Sequence, residues 1–134
     1  AYWPATIQED AANYSRATGT TRRVTNWNAQ PKNKPFKTWV ELRDRGDAVY
    51  YDQLPGEPGR YRIRLDYSLT SRAGATASIR VKLGDRSETI ELKSGVQQLL
   101  PGIFQSRNGK DEPLSITLLS GKLSLHGISL EKLD

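Results

Sequence analysis

The 134-residue chain contains no cysteine, no methionine and a single histidine, His126. The missing cysteine excludes a disulfide framework, a thiolate zinc site and a cysteine nucleophile. A lone histidine excludes metal centres built from several imidazoles and leaves a Ser/His/Asp triad only one candidate base. A first residue other than Met reads as a processed chain or an excised fragment. No run of about 18 apolar residues occurs, so neither a transmembrane helix nor a signal peptide is expected. Helical spacing is missing from every window, and residues 8–18 have room for one short turn at most. The glycines come singly and mark no strand-to-helix switch, which excludes a phosphate loop. No serine stands in a nucleophile elbow. Most carboxylates fall at exposed strand positions or in turns, such as Asp66, Glu91, Asp85 and Asp111. These absences predict a protein that is not an enzyme.

The length suits one domain spanning 1–134, large enough to bury a core without disulfide or metal staples. Twenty Lys and Arg against fifteen Asp and Glu give a net charge of +5. That is mildly basic rather than the density of a dedicated nucleic-acid binder. The charge is unevenly spread. Residues 11–40 hold Arg16, Arg22, Arg23, Lys32, Lys34 and Lys37 and no acid. The segment reads either as a solvated polar loop or as a basic rim for a polyanion such as an acidic or sulfated sugar.

The dominant pattern is period-2 alternation, the mark of half-buried strands. It is clearest in Arg60-Tyr61-Arg62-Ile63-Arg64-Leu65-Asp66-Tyr67-Ser68-Leu69, where odd positions are apolar and even positions polar. Residues 78–83 repeat it, and 89–93 follow after the turn Gly84-Asp85-Arg86, so 76–93 reads as a hairpin. Further strands are expected at 5–8, 38–43, 46–53, 114–119 and 123–133, ended by Gly- and Pro-containing turns. The last changes parity between Leu125 and Ile128, which a bulge at His126-Gly127 reconciles. Eight to ten strands at this spacing predict an all-β sandwich or barrel. If Arg62 and Arg64 align with Arg80 and Lys82 on neighbouring strands, they form one basic sheet face. Asp66 and Glu91 are then its internal counter-ions.

Aromatic residues carry the candidate binding chemistry. Trp27 stands between Asn26 and Asn28 in the weakly periodic basic segment. A flat ring stacks on the C–H face of a pyranose, and amides exchange hydrogen bonds with adjacent hydroxyls. The same Trp27 reads alternatively as a plug closing the end of the sandwich. Tyr61 and Tyr67 are inward by parity, Trp39 is assigned to the core, and one of Tyr50 and Tyr51 is expected outside.

Gly46-Asp47-Ala48-Val49-Tyr50-Tyr51, followed by Pro58-Gly59-Arg60-Tyr61-Arg62-Ile63-Arg64-Leu65-Asp66-Tyr67-Ser68, resembles the central strands of galactose-binding-like β-sandwich modules. The opening Ile7-Gln8-Glu9-Asp10-Ala11 is similar to the start of carbohydrate-binding modules of families 6 and 35. Leu125-His126-Gly127-Ile128-Ser129-Leu130-Glu131 lies where those modules finish. The resemblance implies a jelly roll of two antiparallel sheets that binds glycans through loops at one end. It assigns ligand contacts to Trp27 as stacking platform and to Asn26 and Asn28 as hydroxyl readers. Arg22 and Arg23 are the expected anion contacts, and Asn108 belongs to a loop that adds a polar group. Many such modules hold a structural calcium with hard oxygen ligands. Glu9 and Glu131 are the possible ligands here, while His126 and Ile7 stand where the family has acids; no other cofactor is expected.

The expectation is thus a non-catalytic carbohydrate-binding module that is secreted, periplasmic or on the cell surface. It would be monomeric as an isolated domain, and its partners would be a polysaccharide or oligosaccharide and the catalytic domain of its parent protein. Neither nucleic acid nor membrane is an expected partner. The rival is an accessory sandwich of a glycosidase, lyase or sulfatase that packs on its enzyme and binds no glycan. That rival predicts an exposed apolar patch, to which Tyr2 and Trp3 would contribute.

Overall fold

A computed structural model describes residues 6–26, 37–55, 57–69, 75–84, 86–93, 97–106 and 113–133. Among them are twelve strands and one 3-10 turn, Ala11–Asn13. In chain order the strands are β1 (Thr6–Asp10), β2 (Arg16–Thr18), β3 (Arg22–Asn26), β4 (Lys37–Leu42), β5 (Ala48–Tyr51) and β6 (Gly59–Ser68). Then follow β7 (Ala77–Leu83), β8 (Arg86–Leu92), β9 (Gln97–Leu99), β10 (Phe104–Ser106), β11 (Leu114–Ser120) and β12 (Leu123–Lys132).

They form two antiparallel sheets, as the sequence predicts for a sandwich. The seven-stranded sheet runs β10-β6-β12-β4-β3, with β1 also on β12 and β9 also on β6. The five-stranded sheet runs β2-β5-β11-β7-β8. The centre of the larger sheet is the ladder between β6 and β12, each ten residues long. Each is long enough to serve two short neighbours along its far edge. β4 takes Leu123–Leu125 of β12 and β1 takes the part from Gly127 to Glu131.

The alternation of β6 is why this ladder lies at the centre. Tyr61, Ile63, Leu65 and Tyr67 are buried while Arg60, Arg62 and Arg64 are exposed. Facing them across the core are Ile79, Val81 and Leu83 of β7 and Leu114, Ile116 and Leu118 of β11. Each such side chain taken fully out of water stabilises the fold by about 1.5–3 kcal/mol before entropic costs. Three inward tyrosines keep their hydroxyls satisfied by reaching the ends of the core. Tyr51 donates to the Ala11 carbonyl, Tyr61 to that of Glu57 and Tyr67 to that of Lys93, each at 2.7 Å. Burial pushes the Tyr51 phenol well above its ordinary range, with the nearby Glu9 charge adding to the shift.

Two turns that cross between the sheets share one anchor. Asp47, 2% exposed, accepts from Thr20 N (2.8 Å), Thr20 Oγ1 (2.7 Å), Arg43 N (2.9 Å) and Asp44 N (3.0 Å). It thereby ties the turn from β2 to β3 to the turn from β4 to β5. Burial alone would raise its pKa. The Thr20 hydroxyl and the three backbone N–H groups outweigh burial and hold the pKa below the ordinary 3.8.

Four strands were not legible in the sequence: β2, β3, β9 and β10. The first two lie in the weakly periodic basic segment, and the last two are three residues each. The register of β12 against β6 shifts between Leu125 and Gly127, which is the expected bulge at His126-Gly127. Two expectations are corrected. Arg62 and Arg64 belong to the seven-stranded sheet and Arg80 and Lys82 to the five-stranded one, so they lie on opposite outer faces. Trp39 is not core. Its neighbours Val40 and Leu42 are buried inward, and Trp39 lies half-buried on the outer face.

Candidate functional site

The outer face of the seven-stranded sheet collects side chains in rows set by strand register. Paired residues in a ladder point to the same face, and positions two apart repeat it. One row joins Thr6, Glu131 and Arg62; the next joins Gln8, Ser129, Arg64 and Leu99; a third joins Asp10, Gly127 and Asp66. Beyond the third row the bulge turns His126 outward. There Nε2 of His126 lies 3.1 Å from the Ser68 hydroxyl, and its ring lies 5.7 Å from that of Trp39, tilted by 41°.

These rows line two cavities. One of about 410 Å³ is bounded by Gln8, Glu9, Asp10, Asp66, His126, Gly127, Ile128 and Ser129. A smaller one of about 110 Å³ is bounded by Thr6, Arg62, Arg64, Leu99, Ser129 and Glu131. Ser129 lines both, so they adjoin along β12. The larger cavity depends on Gly127. A Cβ there would come within 3.2 Å of Asp66 Oδ2 and 3.7 Å of the Glu9 carbonyl. Asp66 lines this cavity, and its Oδ1 is buried without a hydrogen-bond partner among the described residues. Carboxylates, an amide and a hydroxyl, with the Trp39 ring next to His126, form a surface suited to a polyhydroxylated ligand. The apolar ring takes C–H faces, and the polar groups take hydroxyls.

The residues expected from sequence fare differently. Trp27, Asn28 and Asn108 lie outside the described residues. Asn26 ends β3 and is paired with Lys37, two residues before Trp39 in β4. Arg22 and Arg23 are engaged within the protein. Arg22 pairs with Glu41 at 3.4 Å. Arg23 donates to the Ala12 carbonyl at 2.8 Å and stacks over Tyr14 at 4.6 Å. Glu9 and Glu131 are not brought together. Glu9 is paired with the inward Ile128, and Glu131 lies three positions further along β12, so the two carboxylates face opposite sides of the sheet. Glu9 instead accepts from Asn13 Nδ2 at 2.8 Å. These two residues do not fit a calcium ion, and no cluster of three or more His, Asp or Glu suited to a metal occurs among the described residues.

Sequence reasoning missed Trp39, Asp66, Asp10, Gln8 and Ser129 as members of one site. The parity of Trp39 against Val40 and Leu42 was the available signal. Nothing local tells that β1, β4, β6 and β12 become neighbours.

No protein-family model and no curated protein matches the chain. Solved structures do. One is the carbohydrate-binding module CBM6cm-2 of Cellvibrio mixtus lichenase 5A, in complex with cellotriose. It is 21% identical, with 99% of this chain and all of that one covered and a TM-score of 0.66. The C-terminal CBM6 of the laminarinase LamC from Zobellia galactanivorans matches at 15% identity, 96% and 100% coverage and a TM-score of 0.63. The mannanase GH26-CBM35 of Podospora anserina matches at 14% identity and a TM-score of 0.67, with 96% of this chain and 28% of that one covered. An all-β sandwich of two antiparallel sheets, matched along nearly its whole length by such modules, has the galactose-binding-like fold of carbohydrate-binding modules.

Proposed function

We infer that the protein is a non-catalytic carbohydrate-binding module. It binds a polysaccharide on the outer face of its seven-stranded sheet. The observation that carries this reading is the 410 Å³ polar cavity next to the Trp39–His126 pair. Trp39 is the platform for a sugar ring. Asp66, Asp10, Gln8 and Ser129 read hydroxyls. Trp27, Asn26 and Asn28, the contacts expected from the sequence, belong to the same reading. The likeness to modules crystallised with oligosaccharides supports the same reading. As part of a secreted carbohydrate-active protein, the module would hold a catalytic partner on its polymer by raising effective concentration.

The accessory-domain rival requires a contiguous exposed apolar patch. Among the described residues Leu99 alone is a large exposed hydrophobic, at 45%. Tyr2 and Trp3, the expected part of such a patch, lie outside the described residues. A glycan array with the wild type, Trp39→Ala and Trp27→Ala tests the glycan reading. Binding lost in Trp39→Ala with an unchanged circular dichroism spectrum is expected. Full binding in both variants sinks it.

A further inference from the structure

Arg22 and Arg23, the expected anion contacts, are engaged by Glu41, Ala12 and Tyr14. Arg62 and Arg64 are different. Both are exposed on one face of β6, about 7 Å apart along the strand, and neither has an ion-pair partner among the described residues. Both line the 110 Å³ cavity, with Thr6, Leu99, Ser129 and Glu131 as its other walls. Glu131 faces Arg62 across the ladder, so one carboxylate opposes two guanidiniums and the cavity keeps a net positive charge. Leu99, paired with Arg64, supplies apolar surface beside that charge.

We propose that this cavity is an anion subsite for an acidic sugar. Arg62 and Arg64 bind the carboxylate or sulfate of a glycan unit whose ring rests on Leu99, with Thr6 and Ser129 at its hydroxyls. Guanidinium is the cation suited to this role, because its planar fork matches a carboxylate or sulfate with two parallel donors. Ser129, shared with the larger cavity, makes the two subsites continuous. The ligand is therefore a glycan chain with an uncharged unit over Asp66 and Trp39 and an acidic unit over the arginine pair. This inference rests on the sheet-face reading above and adds the ligand class.

Binding of three polymers tests it: a neutral β-glucan, polygalacturonate and a sulfated galactan, each at low and moderate salt. The proteins are wild type, R62Q/R64Q, R80Q/K82Q and W39A. Wild type is expected to prefer one or both acidic polymers by about tenfold at low salt, a typical sum for two exposed charge pairs. R62Q/R64Q should lower acidic binding to the neutral level and leave neutral binding unchanged. R80Q/K82Q, which removes the same charge from the opposite face, should keep the preference. The polymer that loses its advantage in R62Q/R64Q tells carboxylate from sulfate. The proposal is overturned by a wild type without preference, by a preference surviving in R62Q/R64Q, or by an equal loss in R80Q/K82Q. Neutral binding that needs Trp39 but shows no acidic preference removes the subsite and keeps the platform. Acidic binding that needs the arginines but not Trp39 does the reverse. A wild type that binds none of the three polymers overturns both.

Discussion

The two outer faces of the sandwich are built from the same alternation and come out differently. On the five-stranded sheet, register aligns Arg16, Tyr50, Ser115, Lys82 and Ser87 in one row across all five strands. Its aromatic ring is already used, since the Arg16 guanidinium covers Tyr50 at 4.6 Å and also pairs with Asp52 at 3.4 Å. On the seven-stranded sheet, the bulge in β12 interrupts the ladder, turns His126 outward and puts a residue without a side chain at 127. Cavities, an unpartnered carboxylate oxygen and two unpaired guanidiniums lie along the same strands. The five-stranded sheet has a register shift of its own, between Leu118 and Ser120 near the end of β11, but the row through Tyr50 is regular and its ring is covered. A bulge with a glycine leaves room beside polar side chains, which is what a ligand needs.

The sharpest way to break the contrast is to remove the aromatic from each face in turn. Trp39→Ala should weaken glycan binding about thirtyfold or more, the scale of an aromatic anchor worth roughly 2 kcal/mol. Tyr50→Ala should change affinity less than twofold by isothermal titration, a flat response of about 0.4 kcal/mol or less. Equal losses would mean that the faces are not functionally distinct.

A second variant acts on both faces through the joint they share. Asp47→Ala leaves three backbone N–H groups without their acceptor, while the Thr20 hydroxyl keeps Asp44 Oδ2 at 2.7 Å, and should cost about 2–3 kcal/mol in urea denaturation. The charge also sets a pH dependence. The folded pKa of Asp47 lies below its unfolded value, so its contribution is complete above about pH 4 and fades as pH falls through the folded value. Asp47→Asn should remove this acid-side loss, and a wild-type stability that stays flat below pH 4 would contradict the assignment.

Filling the bulge is the subtler test. Gly127→Ala places a methyl 3.2 Å from Asp66 Oδ2. Displacing Asp66 should cost about 1 kcal/mol of stability and reduce binding to neutral glycans about tenfold, again roughly 1.4 kcal/mol. Unchanged affinity would show that the larger cavity is not where the sugar binds. The smallest effect expected is that of salt. Moving from low to physiological ionic strength should leave neutral-glycan affinity nearly constant and weaken acidic-glycan affinity a few-fold, as screening acts on exposed charges.

The central strands were legible because their cue is local. In β6, Ile63 and Leu65 alternate with Arg62 and Arg64, which names the buried face without knowledge of any partner. The bulge was legible too, since the parity change from Leu125 to Ile128 has few other solutions. β9 and β10 were not, because three residues carry too little pattern. β3 was missed because Arg22, Arg23 and Thr25 give no apolar alternation for an edge strand to display.

The site was less legible than the fold. The alternation of Trp39 with Val40 and Leu42 fixes its side of the sheet. It does not say that His126 becomes its neighbour. Arg62 and Arg80 share the same local grammar, and nothing near either one announces that they end on opposite faces. The amino-acid sequence by itself determined eight of the twelve described strands, the buried face of β6, the bulge and the class of fold, because alternation and turn chemistry act over a few residues. Only the tertiary structure decided which strands share a sheet. It thereby decided that Arg62 and Arg64 line a cavity, that His126 becomes the neighbour of Trp39 and where Asp66 meets Gly127, because long-range pairing between β1, β4, β6 and β12 sets those contacts.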